Sequence, residues 1–215
     1  MKKVAVILAG CGYLDGSEIR ESVFTLLALD KYDAEVSVFA PDAPQHHVVS
    51  HLSGQEVQES RNVLAESARI ARGDILELTT LDPVKFDCLI LPGGFGAAKN
   101  LSNIAFAGEK GIPIEPIKRI ILSFHKAKKP IGSICISPSI VASALQDVCT
   151  PSLTLGNNST LLHDMKVNSV KCNTDDIVID VENKLVSTPA YMHDDRISNV
   201  YKGIDKLVQK VLEIS

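Results

Sequence analysis

Residues 130–142, PIGSICISPSIVA, read as a buried strand that turns without a spacer into a helix around a single thiol. Pro130 to Ile134 is a short apolar run, and Pro138 suits the first turn of a helix, where its missing N–H leaves no bond unmade. Ser133 and Ser137, two residues before and after Cys135, are small enough for a strained strand-to-helix elbow. A thiol at a helix N-terminus faces free amide N–H groups and the positive end of the dipole. The expectation is therefore a thiolate-prone Cys135, with a pKa in the roughly 3.5–7.5 range of activated cysteines. The competing reading is a buried core cysteine, a common fate of a free thiol.

Elements on either side continue the pattern. Val4 to Ala9 is an apolar run of the kind buried on both faces of a parallel sheet. Ser17 to Leu29 places Ile19, Val23, Leu26 and Leu27 at helical spacing, and Glu35 to Ala40 alternates as a second strand. A helix over Ser60 to Ala71, a strand over Asp87 to Leu91 and a helix over Glu115 to Ala127 lead to the strand ending at Cys135. Beyond it, Leu153–Leu155 reads as a further strand, while Ile177–Ile179 and Lys184–Ser187 form a strand pair turning at Glu182-Asn183. An amphipathic helix runs from about Arg196 to Leu212. Strands alternating with helices predict a doubly wound, mostly parallel α/β sheet in one domain, 1–215. Such sheets bind ligands beyond the carboxyl ends of their strands, and Gly10, Pro92 and Cys135 all fall at those ends.

Composition narrows the function. The 215 residues are 45% hydrophobic and 22% charged with a net charge of −4, a soluble globular balance without the basic footprint of a nucleic-acid binder. Five scattered cysteines, Cys11, Cys88, Cys135, Cys149 and Cys172, contain no CxxC pair, so neither a disulfide scaffold nor a zinc site is expected. A reducing compartment and a cytoplasmic location follow as expectations. The apolar start is too short to span a membrane, and no membrane association is expected.

Two loops supply further candidates. Residues 91–100, LPGGFGAAKN, leave the backbone N–H groups of Gly93 and Gly94 open to developing negative charge, and with the Ile136 N–H they can form an oxyanion hole. Their spacing matches neither a P-loop nor a complete dinucleotide fingerprint. Asn100 and Tyr13 are candidates to line the crevice, and Lys99 reads as a solvated side chain. The first loop, 10–17, leads to Glu18 and Glu21, three apart and thus on one helical face. Either can act as an acid/base beside the thiol, and either can merely complement the helix dipole. His163, His193 and the second loop thiol Cys11 complete the candidates.

The run LPGGFGAAKNLS at 91–102, the elbow SICISPS at 133–139 and the Glu18/Glu21 pair together resemble the PfpI-type branch of the class I glutamine-amidotransferase-like superfamily. GCGYLDGSEIRES at 10–22, SRNVLAESARIARG at 60–73, DDIVIDVENKLVSTPAYM at 175–192 and GIDKLV at 203–208 narrow the resemblance to the ElbB family. That family is described as isoprenoid-biosynthesis proteins with an amidotransferase-like domain and is associated with glutathione-independent glyoxalase activity. The resemblance implies a flavodoxin-like sandwich, Cys135 as nucleophile, a first-helix glutamate as its acid/base, no cofactor or metal, and a homodimer. Counting residues from the first strand favours Glu18, whereas counting back from the second favours Glu21.

The departures from the pattern matter. Ile136 and Leu155-Gly156 stand where many relatives carry histidine, and Thr188-Pro189-Ala190 lacks the His-x-Glu pair of a glutaminase. The expected function is therefore conversion of small 2-oxoaldehydes such as methylglyoxal or glyoxal to lactate or glycolate. A non-enzymatic redox-sensing or partner-binding role supporting isoprenoid metabolism stands as the alternative.

Overall fold

A computed structural model describes residues 1–157, 161–162 and 165–215; His163 lies outside them. The strands are β1 Lys3–Ile7, β2 Glu35–Ala40, β3 Val48–Val49, β4 Glu56–Val57, β5 Leu76–Glu77, β6 Cys88–Leu91, β7 Ile131–Ile134, β8 Ser152–Leu153, β9 Asn168–Ser169, β10 Val178–Asp180 and β11 Leu185–Thr188. The helices are α1 Ile19–Lys31, α2 Val63–Ile70, α3 Phe95–Asn100, α4 Ile104–Ala107, α5 Glu115–Lys126, α6 Ser137–Leu145 and α7 Ile197–Glu213.

Seven strands form one sheet in the order β10-β11-β7-β6-β1-β2-β5. Every pairing in it is parallel except that of β10 with β11. The chain leaves β1 toward β2 on one side and returns to β6 on the other, so the order reverses between β1 and β6. Loops diverge from the strand ends at such a reversal and leave a crevice. The β3–β4 and β8–β9 pairs lie outside the sheet.

Alternation along β1 sends Val4 and Val6 into one core with Leu29, Ile204, Leu207 and Val208, and Ala5 and Ile7 into another with Ile117, Ile121 and Phe124. Helices on both faces explain why the inner strands are continuous apolar runs. The doubly wound α/β expectation is met, and the predicted elements fall within a few residues of the observed ones, apart from the brief β8.

Helix α1 departs from the sequence expectation. Ile19, Val23 and Leu27 are each 45% exposed, while the buried face carries Glu21, Ser22, Thr25, Ala28 and Leu29. Two of these polar groups are satisfied within the helix: Ser22 Oγ donates to the Glu18 carbonyl at 2.7 Å and Thr25 Oγ1 to the Glu21 carbonyl at 2.8 Å. The helix is rotated so that Glu21 points inward, which a count of apolar spacing cannot anticipate.

Candidate active site

Cys135 occupies the left-handed region at φ 60, the strained conformation of a nucleophile elbow. Its N–H donates to the Thr188 carbonyl at 3.0 Å, which holds the turn against β11. Ser137 Oγ donates to the Pro92 carbonyl at 2.8 Å, tying the elbow to the glycine loop. Pro138 sits in the first turn of α6, as its chemistry requires.

The glycine loop closes over the thiol because it has no side chains. A Cβ on Gly93 would overlap the Cys135 Cβ and come within 2.6 Å of Glu21 Oε2. Gly94 has φ 96 and lies against the Gly16–Glu18 backbone. The first loop and the glycine loop are laced together, with the Glu18 N–H donating to the Gly93 carbonyl at 3.0 Å and the Phe95 N–H to the Tyr13 carbonyl at 2.8 Å.

Glu21 and Glu18 take different positions. Glu21 is fully buried and hydrogen-bonded to the Cys135 thiol. Its Oε2 accepts the Gly93 N–H at 3.0 Å and its Oε1 the Tyr191 N–H at 3.3 Å. Burial first, and then the Glu18 charge, push the Glu21 carboxyl up to about 8, above the usual carboxylate range despite these donors. Glu18 caps α1, its Oε2 accepting the Glu21 N–H at 2.6 Å. It also lines the pocket onto which Cys135 opens, and burial raises its pKa.

The thiol corrects the expectation of an intrinsically acidic cysteine. Burial, followed by the Glu21 carboxylate, pushes Cys135 well above the ordinary thiol value. The Gly94 and Ile136 N–H groups both reach the sulfur and pull the other way, but they do not prevail. Helix-end donors are visible in a sequence; the depth at which they act is not. Because thiol and carboxyl are hydrogen-bonded, their protons are lost in steps that belong to the pair.

The pocket has a volume of about 290 Å³, with walls from Tyr13, Phe95, Ile136, Tyr191 and Met192. Of the proposed oxyanion donors, the Gly94 and Ile136 amides face the sulfur, whereas the Gly93 N–H is committed to Glu21. Asn100 is structural: Nδ2 donates to the Ala9 and Asp15 carbonyls, each at 2.9 Å, and Oδ1 accepts the His46 N–H at 2.9 Å. His193 packs against Gly156, its Nε2 lying 3.1 Å from the Cys172 carbonyl, and it does not line this pocket. Cys11 is half-buried and does not line this pocket. Lys99 is not simply solvated: its Nζ donates to the Leu14 carbonyl at 2.8 Å, lies 2.9 Å from His47 Nε2 and sits over the Phe95 ring at 5.1 Å.

Tyr191 is a site residue that sequence reasoning missed, as are the wall residues Phe95 and Met192. Tyr191 lies directly after the Thr188-Pro189-Ala190 segment, and Ala190 at φ 44 turns the chain so that the Tyr191 N–H meets Glu21. Only the turn-prone Pro189 hints at this in the sequence.

A thiol elbow, a buried carboxyl partner and a glycine loop at the switch point of a parallel sheet define an amidotransferase-like protein of the DJ-1/ThiJ/PfpI fold. The crystal structure of an isoprenoid biosynthesis protein with amidotransferase-like domain from Ehrlichia chaffeensis superposes with a TM-score of 0.95 at 40% identity, covering 100% of this chain and 99% of that one. DJ-1beta from Drosophila melanogaster matches at a TM-score of 0.55 and 19% identity, a likeness of fold alone. The chain is 41% identical over 226 residues to the glutamine amidotransferase-like class 1 domain-containing protein 3, mitochondrial, of Homo sapiens, spanning 99% of this chain and 83% of that protein. The ES1 protein, mitochondrial, of Danio rerio is 30% identical over 99% of this chain and 86% of its own length. No family model matches. The chain belongs to the ES1 family of glutamine amidotransferase-like class 1 domain proteins.

Proposed function

We propose that the protein is a glutathione-independent glyoxalase of the ElbB type, acting on small 2-oxoaldehydes through Cys135. The observation that carries this reading is the hydrogen-bonded Cys135–Glu21 pair, with the Gly94 and Ile136 amides on the sulfur and a pocket open to it. Glu21 accepts the thiol proton as sulfur bonds to the aldehyde carbon of methylglyoxal. The Gly94 and Ile136 amides lie near the oxygen that becomes negative. The resulting thiohemiacetal isomerises to the lactoyl thioester by moving hydrogen from the first carbon to the second. The aldehyde carbon is oxidised as the ketone carbon is reduced, so no external redox partner enters. Water then cleaves the thioester, giving lactate and restoring the thiol.

A sensor role needs a thiolate at rest, and sulfur held in the thiol form by burial and by Glu21 supports it less well. No helix among the described residues is long and apolar enough to cross a membrane. The mitochondrial names of the relatives broaden the cytoplasmic expectation to a reducing compartment, in keeping with free cysteines.

The test is lactate formation from methylglyoxal without glutathione, followed by proton NMR for wild type and Cys135→Ala. Aldehyde loss alone is insufficient, because any amine or thiol scavenges methylglyoxal. Lactate above the level of Cys135→Ala supports the reading, and equal lactate from both removes it.

A further inference from the structure

The pocket at Cys135 opens into a second space. Its rim of Tyr13, Glu18 and Tyr191 is shared with an outer chamber of about 520 Å³, to which Ile19, Arg20, His193 and Asp194 contribute. Methylglyoxal is far smaller than the inner pocket alone, so the reaction described above leaves the outer chamber without a role. The two turns that build the inner site also build the outer one. Ile19 and Arg20 are the first residues of α1 after its Glu18 cap, and His193 and Asp194 follow the short 3-10 turn Ala190–Met192 that carries Tyr191.

Arg20 is held at the rim. Its Nη1 donates to the Tyr191 hydroxyl at 3.1 Å, and the guanidinium lies 5.8 Å from the centre of the Tyr191 ring. Among the described residues neither Arg20 nor Asp194 forms an ion pair. Glu18 differs, because its carboxyl accepts the Arg20 and Glu21 N–H groups as the cap of α1. His193 Nε2 lies 3.1 Å from the Cys172 carbonyl, a contact that puts the ring proton on Nε2 and leaves Nδ1 to accept. The chamber thus presents donors from Arg20, acceptors from Asp194 and His193, and apolar surface from Ile19 and the two tyrosine rings.

This combination selects among substrate tails. A carboxylate or phosphate would gain Arg20 but would lie beside Asp194 and Glu18, and a cation would meet Arg20. A hydrocarbon would strip water from charged groups without replacing it. A chain of hydroxyls suits the whole lining, since each hydroxyl both donates and accepts while the carbon chain lies against the rings.

We infer that the outer chamber is a subsite for the tail of the substrate, and that the substrate class is 2-oxoaldehydes carrying a polyhydroxylated chain. This rests on the glyoxalase reading of the site. The chemistry at Cys135 is the same as for methylglyoxal: the aldehyde carbon is oxidised, the ketone carbon is reduced, and water enters when the thioester is cleaved. The product is the corresponding aldonate. Arg20 and Asp194 determine specificity by holding the chain while the dicarbonyl end reaches sulfur.

The experiment measures kcat/KM for methylglyoxal, D-glucosone, phenylglyoxal and 4,5-dioxovalerate with wild type, Arg20→Met and Asp194→Ala. Glucosone supplies a polyhydroxylated tail, phenylglyoxal an apolar one and 4,5-dioxovalerate a carboxylate. Each hydroxy acid product is followed by proton NMR, with substrate concentrations corrected to the open-chain form in the same spectra. Both substituted residues are exposed, so the core is spared, and circular dichroism checks this. For wild type, glucosone should exceed methylglyoxal about tenfold or more, the worth of one or two hydrogen bonds to charged groups. Each variant should lower the glucosone-to-methylglyoxal ratio about tenfold and move the phenylglyoxal-to-methylglyoxal ratio far less. Glucosone turned over no better than methylglyoxal, or a glucosone preference that survives both substitutions, overturns the inference and leaves the glyoxalase reading intact. A preference for 4,5-dioxovalerate or for phenylglyoxal over glucosone likewise overturns it, in favour of an anionic or an apolar tail. Absence of hydroxy acid from all four compounds overturns both.

Discussion

Glu21 and Cys135 are hydrogen-bonded across the join between the first helix and the elbow, with the carboxyl wholly sealed from solvent and the thiol 8% exposed to the pocket. The carboxylate raises the proton affinity of the thiol, because a second negative charge beside it in a poorly solvated site is costly, whereas the thiol's hydrogen bond lowers that of the carboxyl, which burial and the Glu18 charge hold up. The predictions below follow from that coupling.

Activity should depend on the first proton lost from the pair. The Glu21 carboxyl is pushed up to about 8, so only about a tenth of the molecules hold it ionised at pH 7. Initial rates of lactate formation at low substrate should rise roughly tenfold from pH 7 to pH 9 with an apparent midpoint near 8. A profile flat across that range would separate catalysis from this pair.

Stability should fall as pH rises from about 4.5 to about 8. The native carboxyl of Glu21 holds its proton up to about pH 8, against an ordinary value of 4.5. Its stabilising contribution is thus complete below about pH 4.5 and is lost as pH rises through 8. The slope is at most about 1.4 kcal/mol per pH unit for this one group. Glu21→Gln cannot titrate, so its stability relative to wild type should improve from pH 5 to about pH 8 and level off above it. Urea unfolding at four pH values measures the difference, and parallel curves would contradict the burial argument.

Removing the carboxylate should make the sulfur more acidic. Burial still holds the thiol up in Glu21→Gln, but the neighbouring negative charge is gone. A like charge at close range is worth about one pKa unit or more. At pH 9, alkylation of Cys135 by iodoacetamide should accordingly be about tenfold faster in Glu21→Gln than in wild type. Peptide mass spectrometry reads the site, and Cys88, pushed up to about 12 by burial, serves as an internal slow thiol.

Gly93→Ala should damage the site more than its size suggests. The added methyl group overlaps the Cys135 Cβ and crowds Glu21 Oε2, and overpacking of this kind typically costs about 1–3 kcal/mol. The variant should be less stable and should lose the pH-8 inflection in its activity. Retention of wild-type kinetics would show that the loop does not close over the thiol as described.

Much of this was legible in the residues. Apolar runs marked the sheet, because strands covered on both faces need no alternation, and the SICISPS elbow located the thiol through small residues and a first-turn proline. What stayed hidden depended on rotation and depth. Apolar spacing along α1 points to Ile19, Val23 and Leu27, but the helix turns that stripe outward so that Glu21 can reach sulfur. The glutamates could not be told apart in sequence, since that requires knowing that α1 begins at Ile19 and leaves Glu18 as its cap. Asn100 was a crevice candidate only by its place after the glycine loop, and its carboxamide holds three backbone groups in place.

The account rests on a covalent bond between Cys135 and substrate that forms and breaks during turnover. Carbon-13-labelled methylglyoxal, mixed with wild-type protein, quenched with acid at intervals and mapped at low pH by peptide mass spectrometry, where a thioester persists, measures this directly. The account predicts label on Cys135 within the first turnover, its decay once free aldehyde is exhausted, and labelled lactate appearing as it decays. Lactate formed without label on Cys135, or label that stays on the sulfur while lactate accumulates at the same rate, would contradict it.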